Sequence, residues 1–340
     1  MTDRSGPPLP VAELHLHIEG TLEPELLVQL ARRNGTPLPT LDVAELRARY
    51  RFDSLQSFLD VYYASLRVLR AEPDFYDLAR AYLARAAAAG VRRAEIFFDP
   101  QAHLANGVPL AEVFGGLTAA LADGARDHGI SAVLIPCFLR DLGADAADAA
   151  LRACLPFRDK FIGVGLDSAE IGYPPALFAA VYRLAAAGGL RLVAHAGEEG
   201  GPDYVREALD ALHVERVDHG VRSMEDPALV ARLRDEQIPL TVCPLSNVAL
   251  RVVDTLGHHV LPAMLDAGLL ATVNSDDPAY FGGYIDDNLA AVRGAFGYGD
   301  VQLAALARNS FYACFAPEAD KRGWQAEVGR WLAAAPAAGS

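Results

Sequence analysis

Residues 11–21, VAELHLHIEGT, decide the fold that the rest of the chain has to complete. The residues that open this stretch are mostly apolar, as in a buried strand, and His15 and His17 follow near its end. Side chains two residues apart in a strand point to the same face, so both imidazoles can reach one point. Two imidazoles suit zinc and its neighbours, but they do not hold a catalytic ion alone. The stretch therefore predicts a strand that carries half of a metal site.

Seven more strand-like runs follow, which brings the number of β-units to eight. Each run is short and apolar, and Ala-rich helical patterns separate the runs. They cover residues 92–99, 131–139, 161–168, 191–198, 214–220, 239–246 and 270–278. Eight strands that alternate with helices predict an α/β protein with a (β/α)8 TIM barrel. An open doubly wound sheet is the alternative, but it needs a Gly-rich phosphate turn after an early strand, and the sequence has none.

The expected organisation is one catalytic domain with short ends. The predicted segments are a flexible N-terminal lead at 1–10, the barrel at 11–325 with a helical insertion at about 42–90, and a C-terminal tail at 326–340. Within the insertion, an apolar stripe at helical spacing runs from Leu55 to Leu66 and is more typical of a core than of ligand contacts. A cover over the site is the alternative, because a long insertion after a site-bearing strand often lies there.

Charge and hydropathy limit the classes of partner. The chain has 30 basic and 44 acidic residues and a net charge of −14. Such a chain repels phosphate backbones and anionic membrane surfaces, which argues against nucleic acid and lipid as partners and favours a small molecule. The sequence has neither a signal-peptide core nor a run of about 18 apolar residues, so we expect a cytoplasmic protein. A homo-oligomer stays open, because barrel helices can pair without a legible motif.

Polar residues follow the apolar bodies of the predicted strands, at the end where barrel enzymes place their sites. His195 lies near the end of LVAHAGEE, and Asp276 lies in NSDDP after the last strand. With His15 and His17 they offer three imidazoles and one carboxylate, which leaves one position for water as catalytic zinc requires. Each pattern alone also fits packed histidines or a solvated acidic turn, but the combination predicts a metal site. Neither of the two lysines stands at a strand end, which argues against a lysine-bridged pair of ions.

Three more polar residues are predicted to act on the substrate. His219 in VDHGV lies one β-unit after His195 and is placed to deprotonate the attacking water, with strand capping as the alternative. Glu198 is the expected general acid, because burial raises the pKa of a carboxyl group and lets it protonate a ring nitrogen. Asp277 points away from Asp276, since neighbouring strand residues face different directions, and is predicted to face the substrate.

Five motifs, HLHIEGT, HAGEE, DHG, CPLSN and NSDDP, occur in this order and resemble those of the adenosine/AMP deaminase family of metal-dependent hydrolases. The resemblance covers about residues 10–315. It implies one Zn²⁺ per subunit, held by His15, His17, His195 and Asp276. It also implies that Glu198 donates a proton to purine N1, that His219 orients hydroxide, and that Asp277 pairs with purine N7.

Finer features resemble the bacterial and fungal adenine deaminases more closely than the nucleoside enzymes. They include FFDPQAH at 97–103 and GLDSAE at 165–170. The nucleoside enzymes usually carry Asp where this chain has Glu19, and the longer side chain would intrude on a sugar. The resemblance implies hydrolysis of a C–N bond in a cyclic amidine, which converts adenine to hypoxanthine and ammonia in purine salvage and nitrogen use. We also predict that Ser168 or Glu170 contacts the N3/N9 edge that a ribose would block.

Two alternatives remain open at this point. Tyr173 and Ala249 differ from the residues that adenine deaminases carry after the corresponding strands, which leaves N6-substituted adenines or an adenosine-type nucleoside as substrates. An inactive barrel that binds a purine is the second alternative. The intact Glu198 argues against it, because a binding protein needs no general acid.

Overall fold

The computed structural model describes residues 6–334. Its eight strands are parallel and lie beside one another in chain order. They are β1 Val11–His17, β2 Val91–Phe98, β3 Ser131–Leu139, β4 Gly163–Asp167, β5 Arg191–Ala196, β6 Arg216–His219, β7 Leu240–Val242 and β8 Ala271–Val273. The sheet closes next to β8, where His17 N donates to Asp276 O at 3.0 Å and Asp276 N donates to His15 O at 3.1 Å. The predicted (β/α)8 barrel is confirmed.

Helices surround the strands and cover the carboxyl end of the barrel. They are α1 Pro24–Asn34, α2 Val43–Ala48, α3 Leu55–Ser65, α4 Glu72–Ala88, α5 Pro100–Ala105, α6 Leu110–His128, α7 Ala144–Cys154, α8 Ala179–Ala187, α9 Pro202–Ala211, α10 Pro227–Glu236, α11 Pro244–Ala249, α12 Leu261–Asp266, α13 Pro278–Phe281, α14 Ile285–Phe296, α15 Asp300–Ala313 and α16 Glu318–Ala333. Pro24 opens α1, and Gly35 ends it with a left-handed φ of 62°. Of the helices between residues 6 and 334, none has the length and apolar character that a bilayer span requires.

The helical insertion after β1 consists of α2, α3 and α4. Helix α4 packs closely on α6, because Gly116 leaves no room for a side chain: a Cβ there would lie 2.2 Å from Glu72 O. Phe58 and Tyr62 on α3 are buried, and their rings contact Tyr280 of α13, at the carboxyl end of the barrel. The insertion is thus fixed to the face where the polar strand ends lie.

Two apolar cores lie on opposite sides of the strands. The larger core fills the space between the strands and the helices. The smaller core lies inside the barrel and contains Phe97, Ile135, Cys137 and Val193. Deeper in the barrel, Arg216 Nη1 pairs with Glu95 Oε2 at 2.6 Å, and both side chains are fully buried. The inner core therefore gives the carboxyl end of the barrel a rigid, dry floor.

Both predicted chain ends lie partly outside the described residues. Within the lead at 1–10, Leu9 is buried and Pro7 O accepts a hydrogen bond from the Trp331 indole. Within the tail at 326–340, residues 326–333 continue α16, where Val328 and Trp331 are buried. The described parts of both segments are therefore packed on the barrel, because the Trp331 side chain binds them to each other.

Candidate active site

The four predicted metal ligands converge at the carboxyl end of the barrel. The period of two in β1 puts His15 and His17 on one face, β5 supplies His195, and Asp276 follows β8. Asp276 Oδ1 lies 3.1 Å from His15 Nε2 and 3.5 Å from His17 Nε2. His17 Nε2 lies 3.3 Å from His195 Nε2. All four side chains are buried, so their donor atoms face one another and not solvent.

This donor set fits a metal ion. The buried His15 Nε2 has no hydrogen-bond partner among the described residues. Burial lowers the pKa of His17 to about 4 and holds that of His195 well below its usual range. Both rings are therefore neutral near pH 7, as metal ligation requires. One atom each from His15, His195, Asp276 and also His219 lies within 4.8 Å of the others.

A second layer of polar residues orients the ligand rings. His15 Nδ1 lies 3.0 Å from Thr241 Oγ1, which donates to Asp218 Oδ1 at 2.7 Å. Asp218 Oδ2 in turn lies 4.0 Å from His195 Nδ1. With Nδ1 of His15 committed to the threonine, Nε2 is left to face the metal position. Sequence reasoning missed Asp218 and Thr241, although Asp218 lies in the DHG motif and Thr241 in the strand-like run at 239–246.

Glu198 and His219 lie beside the metal ligands with the protonation states that acid–base chemistry needs. His219 Nε2 is 3.5 Å from Glu198 Oε2 and 3.8 Å from Asp276 Oδ2. Burial, with the Asp276 carboxylate adding to it, raises the pKa of Glu198 well above its usual range. Burial lowers the pKa of His219 to about 3. Near neutral pH the site therefore contains a protonated carboxyl group next to a neutral imidazole.

Polar contacts fix the ring of His219 from behind. Asn247 Nδ2 lies 3.3 Å from His219 Nδ1, and His259 Nε2 lies 3.1 Å from Asn247 Oδ1. His259 is only 4% exposed, although its place beside His258 in the sequence suggests a solvated pair. The Asn247 contact explains the burial of His259, and nothing in the local sequence pattern indicates it.

Asp277 opens α13 and presents a free oxygen to the site. Its Oδ1 is buried and has no hydrogen-bond partner among the described residues. A Cβ at Gly20 would lie 2.0 Å from that oxygen, so the absence of a side chain at Gly20 makes room for the carboxyl group. Burial, followed by the neighbouring Asp276, raises the pKa of Asp277 well above its usual range.

The structure does not support the predicted contact between Glu170 and the substrate. Its Oε1 accepts from Gly197 N at 2.7 Å. Its Oε2 accepts from the N–H groups of Glu198, Glu199 and Gly200 at 3.1, 2.8 and 2.8 Å. The carboxylate is thus used to hold the loop after β5, and it acts on the site only by positioning Glu198.

Glu19 is not among the residues that line the cavity, which does not favour the predicted contact with a sugar. The Glu19 side chain is fully buried behind the site. Its Oε1 accepts from Asp99 N at 3.0 Å and contacts His103 Nε2 at 2.7 Å. Asp99 therefore lies nearer the cavity than Glu19 does, and the glutamate acts as its support.

The polar groups line a cavity with an empty volume of about 390 Å³. Its polar lining consists of His17, Asp99, Asp167, Ser168, His195, Glu198, His219, Asp276 and Asp277. Its apolar lining consists of Leu55, Phe58, Leu59, Tyr62, Tyr63 and Leu250. Five of these six residues come from α3, so the insertion lines the site, as in the alternative interpretation of its apolar stripe. Tyr173 and Ala249 are not part of this lining, which removes the reason for invoking N6-substituted bases.

The comparison with known proteins agrees with this geometry. Residues 10–331 match the adenosine deaminase family. The chain belongs to that family. An adenine deaminase of Streptomyces coelicolor is 65% identical over 308 residues, which cover 91% of each chain.

Two solved structures extend the likeness within the adenosine deaminase family. The adenine deaminase of Arthrobacter aurescens has a TM-score of 0.95 and 55% identity, over 96% of this chain and 100% of that one. An amidohydrolase of Burkholderia ambifaria with bound zinc has a TM-score of 0.88 and 32% identity, over 96% of this chain and 91% of that one. The buried His/Asp group thus belongs to a family in which a relative binds zinc.

In this member of the adenosine deaminase family, three of the six described non-glycine residues with a left-handed backbone lie at the site. Ser168, His219 and Asp276 have left-handed φ values of 71°, 64° and 65°. Non-glycine residues adopt this conformation only where the surrounding structure imposes it, at a cost on the order of 1–3 kcal/mol each. All three follow or end strands that open on the cavity, so the strain serves to aim their side chains.

Proposed function

We propose that the protein hydrolyses adenine to hypoxanthine and ammonia, a reaction of purine metabolism, with zinc as its resident ion. The observation that carries the proposal is the position of Glu198, His219 and Asp277 around four converging metal ligands in one cavity. The two relatives named adenine deaminase support the substrate. The zinc-containing relative supports the choice of metal.

The proposed ligands are His15, His17, His195 and Asp276, which form the mixed nitrogen and oxygen set that zinc accepts. When bound, the metal supplies Lewis-acid chemistry that makes hydroxide available near neutral pH. Burial keeps His17 and His195 neutral, and Thr241 and Asp218 fix the ring of His15. This arrangement prepares the site before the ion binds.

Proton transfers by Glu198 complete the reaction, and His219 orients the attacking oxygen. Asn247 Nδ2 donates to His219 Nδ1, so the neutral ring carries its proton on Nε2 and can hold hydroxide by a hydrogen bond. As hydroxide bonds to C6, Glu198 gives its proton to N1. The proton on the new C6 oxygen then passes through Glu198 to the amino group, which leaves as ammonia when the C6–N6 bond breaks. This leaves hypoxanthine, and Glu198 regains its proton when the next water gives hydroxide.

Asp277 orients the base by its N7. Burial raises the pKa of this carboxyl group and so favours its protonated form, which can donate a hydrogen bond to N7. A hydrogen bond from Asp277 to N7 selects the tautomer of adenine that carries its proton on N9. The planar ring then packs against Leu55, Phe58 and Tyr62 of the covering helix.

The test is a steady-state assay of the zinc-loaded protein by ultraviolet absorbance and ammonia release, on adenine, adenosine and N6-methyladenine. Adenine should lead by orders of magnitude. Glu198→Gln should abolish turnover, whereas Glu199→Gln, the same change at the next and only partly buried residue, should retain it. Preference for adenosine would refute the proposed substrate, and full activity of Glu198→Gln would refute the assignment of the acid.

A further inference from the structure

Two carboxyl groups in the cavity have no part in the chemistry described above. Asp99 directly follows β2, and Asp167 ends β4. They are only 1% and 3% exposed, and Oδ1 of each is buried without a hydrogen-bond partner among the described residues. An atom of each carboxyl group and a ring nitrogen of His17 lie within 4.8 Å of one another. The two carboxyl groups also hydrogen-bond to each other, so the cavity contains a buried carboxyl pair whose Oδ1 atoms have no other donor.

The surrounding residues hold this pair on one wall of the cavity. Glu19 fixes the backbone of Asp99 through the 3.0 Å hydrogen bond to its N–H. Asp167 Oδ2 lies 3.6 Å from His17 Nδ1. The neighbouring Ser168 Oγ accepts from Tyr63 Oη at 3.3 Å, which leaves the serine proton free to donate. One wall thus offers a donor beside two acceptors.

The shape of adenine decides which of its atoms face this wall. N1 and N7 lie on either side of the C6 amino group, whereas N3 and N9 lie on the opposite edge. With Glu198 at N1 and Asp277 at N7, the N3/N9 edge faces the remaining polar lining. That edge has an acceptor at N3 and an N–H donor at N9, which complement Ser168 and the carboxyl pair.

We propose that Asp99 and Asp167 accept the N9–H of the free base, with the Ser168 hydroxyl on N3, and that this pair excludes N9-substituted purines. The inference rests on the proposed function and adds the determinant of its specificity. A nucleoside has no N9–H and would bring a sugar carbon against two buried acceptors. Sites built to bind a substrate N–H reject analogues without it by about 10⁴-fold or more.

The first test uses the wild-type protein with adenine and 9-methyladenine. We expect kcat/KM to fall by at least about 100-fold when N9 is methylated, because the donor is lost and the methyl group meets the pair. Calorimetric titration with hypoxanthine and 9-methylhypoxanthine, which are not consumed, should show the same preference in Kd. Values of Kd within about threefold of each other would overturn the inference without any variant.

The second test uses Asp99→Ala, because Asp167 also contacts a proposed metal ligand. In this variant the preference for adenine over 9-methyladenine, measured as the ratio of their kcat/KM values, should fall by about tenfold or more. The reason is that Asp99 accepts the N9–H, which only adenine has. The control is Asp141→Ala, which removes an exposed carboxyl group near the mouth. Metal content and Tm show whether each variant retains its fold.

The outcomes separate this inference from the proposed function. A folded, metal-replete Asp99→Ala with an unchanged ratio would overturn the role of the pair while adenine deamination stands. A wild type that does not deaminate adenine, yet binds hypoxanthine far more tightly than its 9-methyl derivative, would refute the activity and support the pair.

Discussion

Replacement of Glu170 by Gln should damage catalysis although the side chain lies outside the cavity lining. The carboxylate accepts four backbone N–H groups from residues 197–200, one at Oε1 and three at Oε2. Glutamine keeps one acceptor oxygen and turns an NH2 group toward the remaining N–H. The loss is at least one charge-assisted hydrogen bond and leaves a buried donor unpaired, which together cost about 2–4 kcal/mol.

Part of that free energy holds Glu198 at the substrate. If about 1.4 kcal/mol of it is expressed in the transition state, kcat falls about tenfold. The assay compares kcat, KM and the free energy of unfolding of Glu170→Gln with those of Glu199→Gln, which makes the same change within the loop that Glu170 holds. We expect a lower stability and a lower kcat with a nearly unchanged KM for adenine. A raised KM with normal kcat and stability would refute the positioning role and would support the original prediction that Glu170 contacts the base.

Three other perturbations test separate parts of the structure. Gly20→Ala puts a Cβ 2.0 Å from Asp277 Oδ1 and should lower kcat/KM at least about tenfold. The control is Gly294→Ala, where a Cβ meets nothing within 4 Å, and it should leave kcat/KM unchanged. Equal kcat/KM for the two variants would contradict the close packing at Gly20. Burial raises the pKa of Glu13 to about 7 from 4.5, so wild type loses stability as pH rises through that range. Glu13→Gln should remove up to about 3 kcal/mol of this loss in the free energy of unfolding, as measured by denaturant titrations from about pH 5 to about pH 8. A difference in free energy of unfolding between wild type and variant that does not change with pH would contradict this. Burial alone would lower the pKa of His15, but the Asp276 carboxylate raises it above 6.5, so protons compete with the metal at this ligand first. Metal analysis after desalting should therefore find the ion retained at about pH 8 and progressively lost below about pH 6, and full retention down to about pH 4 would contradict it.

The strands and the ligands could be predicted from the sequence because they share one physical cause. Strands of a barrel are buried on both faces, so each reads as an apolar run that ends in a polar residue. His195 and Asp276 stand at such ends, and His15 and His17 share a face through the period of two. Their convergence therefore follows from the order of the strands.

The roles of Glu19 and Glu170 could not be predicted, because they depend on where loops fold back. The sequence places both carboxyl groups near the site, but it does not indicate that Glu170 faces four N–H groups of the loop after β5. Glu19 is likewise directed to His103 by the packing of α5 against the barrel. A carboxylate near a site is as often a support as a contact, and only the coordinates distinguish the two.

Asp99 and Asp167 were overlooked although a signal existed. Each is an acidic residue at the carboxyl end of a strand, as Asp276 is, and each lies in a motif that carried the family resemblance. Ser168 also has a left-handed backbone. No sequence pattern around Ser168 predicts this conformation. Strand-end position was thus a better guide to the site than proximity in sequence to a ligand.

The central claim is hydrolysis of free adenine by a metal-loaded site with Glu198 as the acid. Its most direct test is the reaction of the zinc-loaded protein with adenine in water enriched in heavy oxygen, followed by mass spectrometry of the purine and by ammonia determination. We predict hypoxanthine that carries a single labelled oxygen, with an equal amount of ammonia, and neither product from Glu198→Gln. Hypoxanthine without the label, or unchanged adenine with the wild-type protein, would contradict the claim.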